Sequence, residues 1–219
     1  DGTLFVKIIE ESGIISGIKV DAGLKDMPGH LGEKITEGLD GLNDRLTEYF
    51  QMGARFAKWR TAFTIGDEIP SQDCIEENAK ILAEYALMCQ EAGIVPIVEP
   101  EVLMNGSHTM EQCREATEKV LRTVFNWLTI KEVALDGMIL KPNMVVAGLD
   151  CPVQKSVEEV ADATVKLLME VVPANVAGIA FLSGGQFSEL ASERLSVMNS
   201  KFKTQLPWPL TFSYSRAIQ

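Results

Sequence analysis

Apolar and polar positions along this 219-residue chain alternate between two periods. Short runs rich in Val, Ile, Ala and Phe predict strands at Ser16–Asp21, Phe56–Phe63, Ile94–Pro100, Gly137–Lys141, Gly178–Ser183 and Pro209–Tyr214. Between them the spacing turns helical. One helix is predicted from about Leu39 to Met52, with Gly53 as its stop, and another over Ser71–Ala92, stopped by Gly93. Thr109 with Gln112, and Ser156 with Glu159, have the three-residue spacing of a capping box, so each should open a helix; the second must end before Pro173. A fifth helix follows Gly184-Gly185, from Ser188 to about Asn199.

Strand and helix in repeated alternation imply a parallel α/β sheet covered by helices. An open doubly wound sheet and a closed barrel both satisfy the alternation. The charges on the strands favour the barrel. Lys19 and Asp21, Lys58 and Arg60, and Glu99 and Glu101 are each two residues apart, so each pair shares one strand face. A single such pair is usually a solvated strand end. Three in succession on strands buried on both faces are costly unless they meet in a shared polar cavity, and the mouth of a barrel is one. Six strands do not close an eight-stranded barrel, so either two strands precede Asp1 or the sheet is open.

Composition narrows the partners. A net charge of -11 argues against nucleic acid and anionic membranes, and no apolar run reaches the length of a membrane span. Cys74, Cys89, Cys113 and Cys151 contain no CxxC pair and read as reduced core thiols. Two distant histidines, His30 and His108, make a histidine-rich metal site a poor reading. His108, in Asn105-Gly106-Ser107-His108, reads as a solvated loop tip, and Met88, Trp127 and Met169 as core.

The chemistry concentrates at Gly137-Met138-Ile139-Leu140-Lys141-Pro142, a short apolar strand that ends on a lysine and is stopped by a proline. The bland reading of Lys141 is a side chain snorkelling from a strand end. With Lys58, Arg60, Glu99 and Glu101 aimed at the same place, Lys141 becomes a candidate nucleophile. Desolvation and neighbouring cations favour a neutral amine, which attacks carbonyls, and a carboxyl group can shuttle the protons of imine formation. Ser183-Gly184-Gly185 follows a strand and precedes a helix, which suits an anion; Arg216 beyond the last strand is a matching cation. Each is weak alone, and together they suggest a phosphorylated substrate.

These segments resemble the class I fructose-bisphosphate aldolases. The similarity is carried in order by Gly17-Ile18-Lys19-Val20-Asp21, Gly53-Ala54-Arg55-Phe56-Ala57-Lys58-Trp59-Arg60, Val95-Pro96-Ile97-Val98-Glu99-Pro100-Glu101, Leu140-Lys141-Pro142-Asn143-Met144, Phe181-Leu182-Ser183-Gly184-Gly185-Gln186 and Phe212-Ser213-Tyr214-Ser215-Arg216-Ala217. The resemblance implies a (β/α)8 TIM barrel, of which residues 1–219 supply the third to eighth strands as one domain incomplete at both ends, and a lyase that cleaves fructose 1,6-bisphosphate, a phosphorylated sugar, to dihydroxyacetone phosphate and glyceraldehyde 3-phosphate. It implies no metal and no other cofactor, a cytoplasmic setting and a homotetramer. By position Lys141 resembles the imine-forming lysine, Glu99 the acid and base, and Lys58 the lysine beside it. Lys19, Arg60 and Glu101 resemble substrate-binding residues, and Ser183, Gly184, Gly185 and Arg216 a phosphate cradle. Ser215 stands where a glycine or alanine is expected before the arginine. The family's aspartate for carbon–carbon cleavage, its second phosphate site and its tyrosine-ended tail have no counterpart here. The chain opens at Asp1-Gly2 without a methionine, so a targeting segment and an organellar copy stay open. Two rivals remain: another lysine Schiff-base barrel enzyme, such as a transaldolase or deoxyribose-phosphate aldolase, and a noncatalytic binding protein on the same fold.

Overall fold

The structure, a computed structural model, describes residues 5–214. Helix α1 (Phe5–Glu11) leads into strand β1 (Gly17–Lys19), a hairpin β2 (Gly23–Asp26) and β3 (Lys34–Glu37), and helix α2 (Leu42–Gln51). Strand and helix then alternate as β4 (Phe56–Phe63), α3 (Gln72–Glu91), β5 (Val95–Val102), α4 (Met110–Ile130), β6 (Ile139–Leu140), α5 (Val157–Val171), β7 (Gly178–Phe181), α6 (Ser188–Phe202) and β8 (Leu210–Phe212).

Six of these strands form one sheet in the order β1-β4-β5-β6-β7-β8, and every neighbouring pair is parallel. The spatial order follows the chain order from one edge to the other. A doubly wound sheet needs a point where that order reverses, and none exists among the described strands. The winding is therefore that of consecutive barrel units, although the sheet does not close among the described residues. The two-stranded hairpin lies outside the sheet, and the sequence gives it little signal: Gly-Leu-Lys-Asp and Lys-Ile-Thr-Glu lack an apolar face.

Local chemistry explains why the helices start where they do. Ser71 caps α3 by accepting from the Cys74 N–H, and Thr109 and Ser156 each complete a reciprocal capping box with Gln112 and Glu159. Strand β4 sorts its side chains by parity. Ala57, Trp59 and Thr61 are buried against the helical layer, where Trp59 stacks on Tyr85 at 5.3 Å and the Tyr85 hydroxyl donates to the Ala57 carbonyl at 2.8 Å. Lys58 and Arg60 take the opposite face. Burial of the first set therefore aims the second.

Two expectations are corrected here. Met169 is 47% exposed, on the outer side of α5. His108 is buried, because the loop that carries it folds back against the segment after β6 instead of projecting into water.

Candidate active site

The charged pairs meet at the carboxyl ends of the strands. Arg60 and Glu99 are register partners, yet each cation reaches one step further along the neighbouring strand. Lys58 Nζ lies 2.9 Å from Glu99 Oε2, and Arg60 Nε donates to Glu101 Oε2 at 2.5 Å. From the other side Lys141 Nζ approaches Glu99 Oε1 at 3.2 Å. One carboxylate thus bridges two amines, one oxygen to each. Neither amine contact has hydrogen-bond alignment, and Glu99 Oε2 has no hydrogen-bond partner. Glu99 is 4% exposed and Lys141 7%, so water screens this triangle poorly.

The backbone explains why Lys141 is held there. Strand β6 is two residues long, but the Lys141 N–H still donates to the Val98 carbonyl at 2.8 Å, which keeps its Cα in line with Glu99. Pro142 has no N–H and ends the ladder. Asn143 then takes over. Its Oδ1 accepts from the Val102 N–H at 3.0 Å, and its Nδ2 donates to Thr117 Oγ1 and to the Met144 carbonyl, both at 3.1 Å. Its side-chain oxygen stands in for a strand-partner carbonyl on the β5 side, while the Pro142 carbonyl accepts from the Leu182 N–H at 3.2 Å on the β7 side. The sequence hints at it only as a polar residue behind Lys-Pro.

On the β1 side Lys19 pairs with buried Asp21 at 2.6 Å and stays half exposed. Asp21 also accepts from the Gly23 and Arg60 N–H groups at 3.2 and 3.3 Å, so it ties β1 to β4. A cleft of about 920 Å³ takes in Lys19, Asp21, Thr36 and Arg45 but is not lined by Glu99 or Lys141. The lysine–carboxylate triangle lies apart from this cleft.

At the end of β7, Gly184 and Gly185 have φ of +64° and +98°, the left-handed region that glycine tolerates. Gln186 N–H closes the turn onto the Ser183 carbonyl at 3.0 Å. Among the described residues the N–H groups of Ser183, Gly184 and Gly185 donate to no acceptor. A side chain added at Gly184 would start 3.8 Å from Glu101 Oε1, which places this loop at the rim of the charged cluster. Arg216 and Ser215 lie outside the described residues. Among those described, no group of three or more His, Cys, Asp or Glu side chains is placed to hold a metal ion.

Two loops behind the site are clamped backbone to backbone. Gly148, Leu149 and Asp150 donate to the carbonyls of His108, Met104 and Gly106 at 2.8, 2.8 and 2.9 Å. At Gly148 a Cβ would stand 2.2 Å from the Gly106 oxygen, so only glycine fits. His108 sits under this clamp with both ring nitrogens unpartnered. Burial lowers its pKa; the nearby Asn105 carbonyl favours the charged ring but is not aligned as a hydrogen bond, and burial outweighs it.

The family model described as "Glycolytic: Fructose-bisphosphate aldolase class-I" matches residues 1–219. The chain is 53% identical over 219 residues to the probable fructose-bisphosphate aldolase class 1 of Xanthomonas campestris pv. campestris, and 51% identical over 219 residues to fructose-bisphosphate aldolase C-A of Danio rerio. Both matches cover 100% of this chain, which spans 65% and 60% of those relatives' lengths. Among solved structures, a fructose-bisphosphate aldolase from Plasmodium falciparum, in complex with TRAP and a small molecule inhibitor, superposes with a TM-score of 0.94 at 47% identity, covering 98% of this chain and 62% of that one. With a match along its whole length and a strand order of consecutive barrel units, the chain belongs to the class I fructose-bisphosphate aldolase family.

Proposed function

We propose that the protein carrying this chain is a lyase that reversibly cleaves fructose 1,6-bisphosphate to dihydroxyacetone phosphate and glyceraldehyde 3-phosphate through a Schiff base on Lys141. The observation that carries this reading is the Glu99 carboxylate held between Lys141 and Lys58, at 3.2 and 2.9 Å, with Glu99 and Lys141 both buried. Imine formation requires three things of these groups. Lys141 Nζ, once deprotonated, adds to the ketose carbonyl and forms a carbon–nitrogen bond. Glu99, as the carboxylic acid, protonates the carbinol oxygen, which leaves as water. The carboxylate so formed takes back a proton when the imine is hydrolysed. Lys58 supplies positive charge at the same carboxylate and a second donor to substrate. When the adjacent carbon–carbon bond breaks, the protonated imine accepts its electron pair and becomes an enamine, and the hydroxyl on the departing carbon gives its proton to a general base as that carbon leaves as the aldehyde.

Arg60, Glu101 and Lys19 are read as substrate-binding groups around this centre. Ser183, Gly184 and Gly185 offer three successive N–H groups at a strand-to-helix turn, which suits a substrate phosphate, with Arg216 as its counter-charge. We also read the assembly as a homotetramer in the cytoplasm, and light scattering near four chain masses tests the first part. No described helix is long and apolar enough to cross a membrane.

The deciding experiment is borohydride reduction of the protein in the presence of dihydroxyacetone phosphate, followed by peptide mapping. The adduct is expected on Lys141, and Lys141→Ala should abolish both the adduct and cleavage. An adduct on Lys58 or Lys19, or full activity of Lys141→Ala, overturns the assignment. Product analysis with fructose 1,6-bisphosphate separates this reading from other Schiff-base barrel enzymes.

A further inference from the structure

A second cavity, about 480 Å³, opens behind the glycine loop. This is within the range of small-molecule sites. Its walls are mainly apolar: Met104, Val146, Leu149, Val157, Phe187 and Leu190. Polar residues complete the wall: Gln154, Ser156, Gln186, Lys155, which is paired with Glu159, and Arg194, in the second turn of α6. Arg194 is only 5% exposed, and among the described residues it forms no ion pair. Its nearest acid influence is Glu193, which points outward to solvent. Its Nε has no hydrogen-bond partner, and its NH1 donates to Gln186 Oε1 at 2.5 Å.

A buried guanidinium without a counter-charge is unusual, because removing a cation from water is costly unless an anion or several acceptors compensate. Burial here is strong enough to lower the pKa of the arginine. The start of α5 does not supply the missing partner, since the capping box of Ser156 and Glu159 is already closed on itself. Phe187, at the lip of the cavity, is 82% exposed, and Leu149 is exposed beside it. A cation inside and apolar surface left in water at the entrance describe the two halves of one ligand.

We infer that this cavity binds a small amphipathic oxyanion, a carboxylate or phosphate ester with an apolar body, whose headgroup takes the free donors of Arg194 and whose body covers Phe187, Leu190 and Leu149. Guanidinium presents paired donors in the geometry that either headgroup accepts. The site also communicates with the glycine loop. Gln186 accepts from Arg194 and donates from Nε2 to the Ser183 carbonyl at 3.1 Å, so one glutamine connects the cavity to the turn. This connection gains significance only if the loop holds a substrate phosphate as proposed above; the binding itself does not depend on that reading.

The test is calorimetric titration of the protein carrying this chain with sodium octanoate and, separately, octyl phosphate, which ranks the two headgroups. Saturable binding of at least one is expected. Octylammonium, with the same body and the opposite charge, should not bind. Arg194→Gln should weaken the anion at least tenfold, and Phe187→Ser, at an exposed position that the fold does not need, should weaken it severalfold. The inference is overturned if neither anion binds, if octylammonium binds as well as octanoate, or if both variants bind as the parent does.

Discussion

Asn143→Ala tests how the strand carrying Lys141 is anchored. In the folded chain the Asn143 side chain makes three hydrogen bonds to nitrogen and oxygen partners in a buried setting, the Val102 N–H, Thr117 Oγ1 and the Met144 carbonyl, beside a long 3.9 Å contact to Cys113 Sγ. Truncation strands the Val102 N–H, since β6 ended at Leu140 and no other acceptor replaces the strand partner. A buried donor left unpaired costs about 1–3 kcal/mol, and a lost neutral bond to Thr117 about 1 kcal/mol more. Release of the amide from its own burial offsets part of this, so the net expected loss is about 2–3 kcal/mol. For a protein of this size that is a fall in Tm of roughly 4–12 °C. Thr117→Val removes one of the three bonds and should cost about 1 kcal/mol, and the double variant should cost less than the sum because the two side chains share that bond. Thermal unfolding followed by near-UV circular dichroism, with cleavage rate measured alongside, is the assay. Activity should fall while the protein is still folded, because Lys141 precedes the lost anchor by two residues. A Tm within about 1 °C of the parent would refute the argument that the asparagine substitutes for strand pairing, and strictly additive variants would refute the shared bond.

Two further outcomes follow from burial. His108 is held neutral, so its folded pKa lies below the unfolded value of about 6.5; the stability this confers is complete above that value and is lost as pH falls through the folded pKa. Urea midpoints between about pH 7 and pH 5 should therefore drop more for the parent than for His108→Leu, and equal slopes would show that the ring does not drive the acid limb. The four cysteines are buried and free, and burial pushes the thiols of Cys74 and Cys89 up to about 12. Iodoacetamide at about pH 8 should label neither in the folded protein and both in urea, as read by mass spectrometry, and rapid native labelling of either would contradict their placement.

What the chain discloses before folding is set by the range of the interactions involved. The caps at Ser71, Thr109 and Ser156 depend on neighbours three residues away, so they are readable in sequence and appear in the structure. The strand β4 is bounded as its apolar pattern implies, and the period-two charges of β4 and β5 do meet. Helix α1 and the β2–β3 hairpin escape notice because α1 buries no residue and the hairpin strands bury almost none. The partners of Asn143, Gln186 and Arg194 escape for a different reason. Their identities are plain, but their meaning rests on contacts such as Asn143 with Val102, 41 residues away. His108 was misplaced by the same blindness: Asn-Gly-Ser-His reads as a turn in water until Gly148 closes over it.

The clamp between the β5–α4 and β6–α5 loops has a consequence for how this mouth can be redesigned. Three backbone bonds in fixed register, and a glycine that admits no side chain, make the lengths of the two loops a single variable. An insertion near Gly106 would push its carbonyl out of reach of Asp150, and only a matching insertion near Gly148 could restore it. Diversity introduced into either loop alone should mostly yield unfolded clones. Libraries meant to widen substrate choice belong in the turn after β7 or in the β2–β3 hairpin, where the backbone answers to no such partner across the mouth.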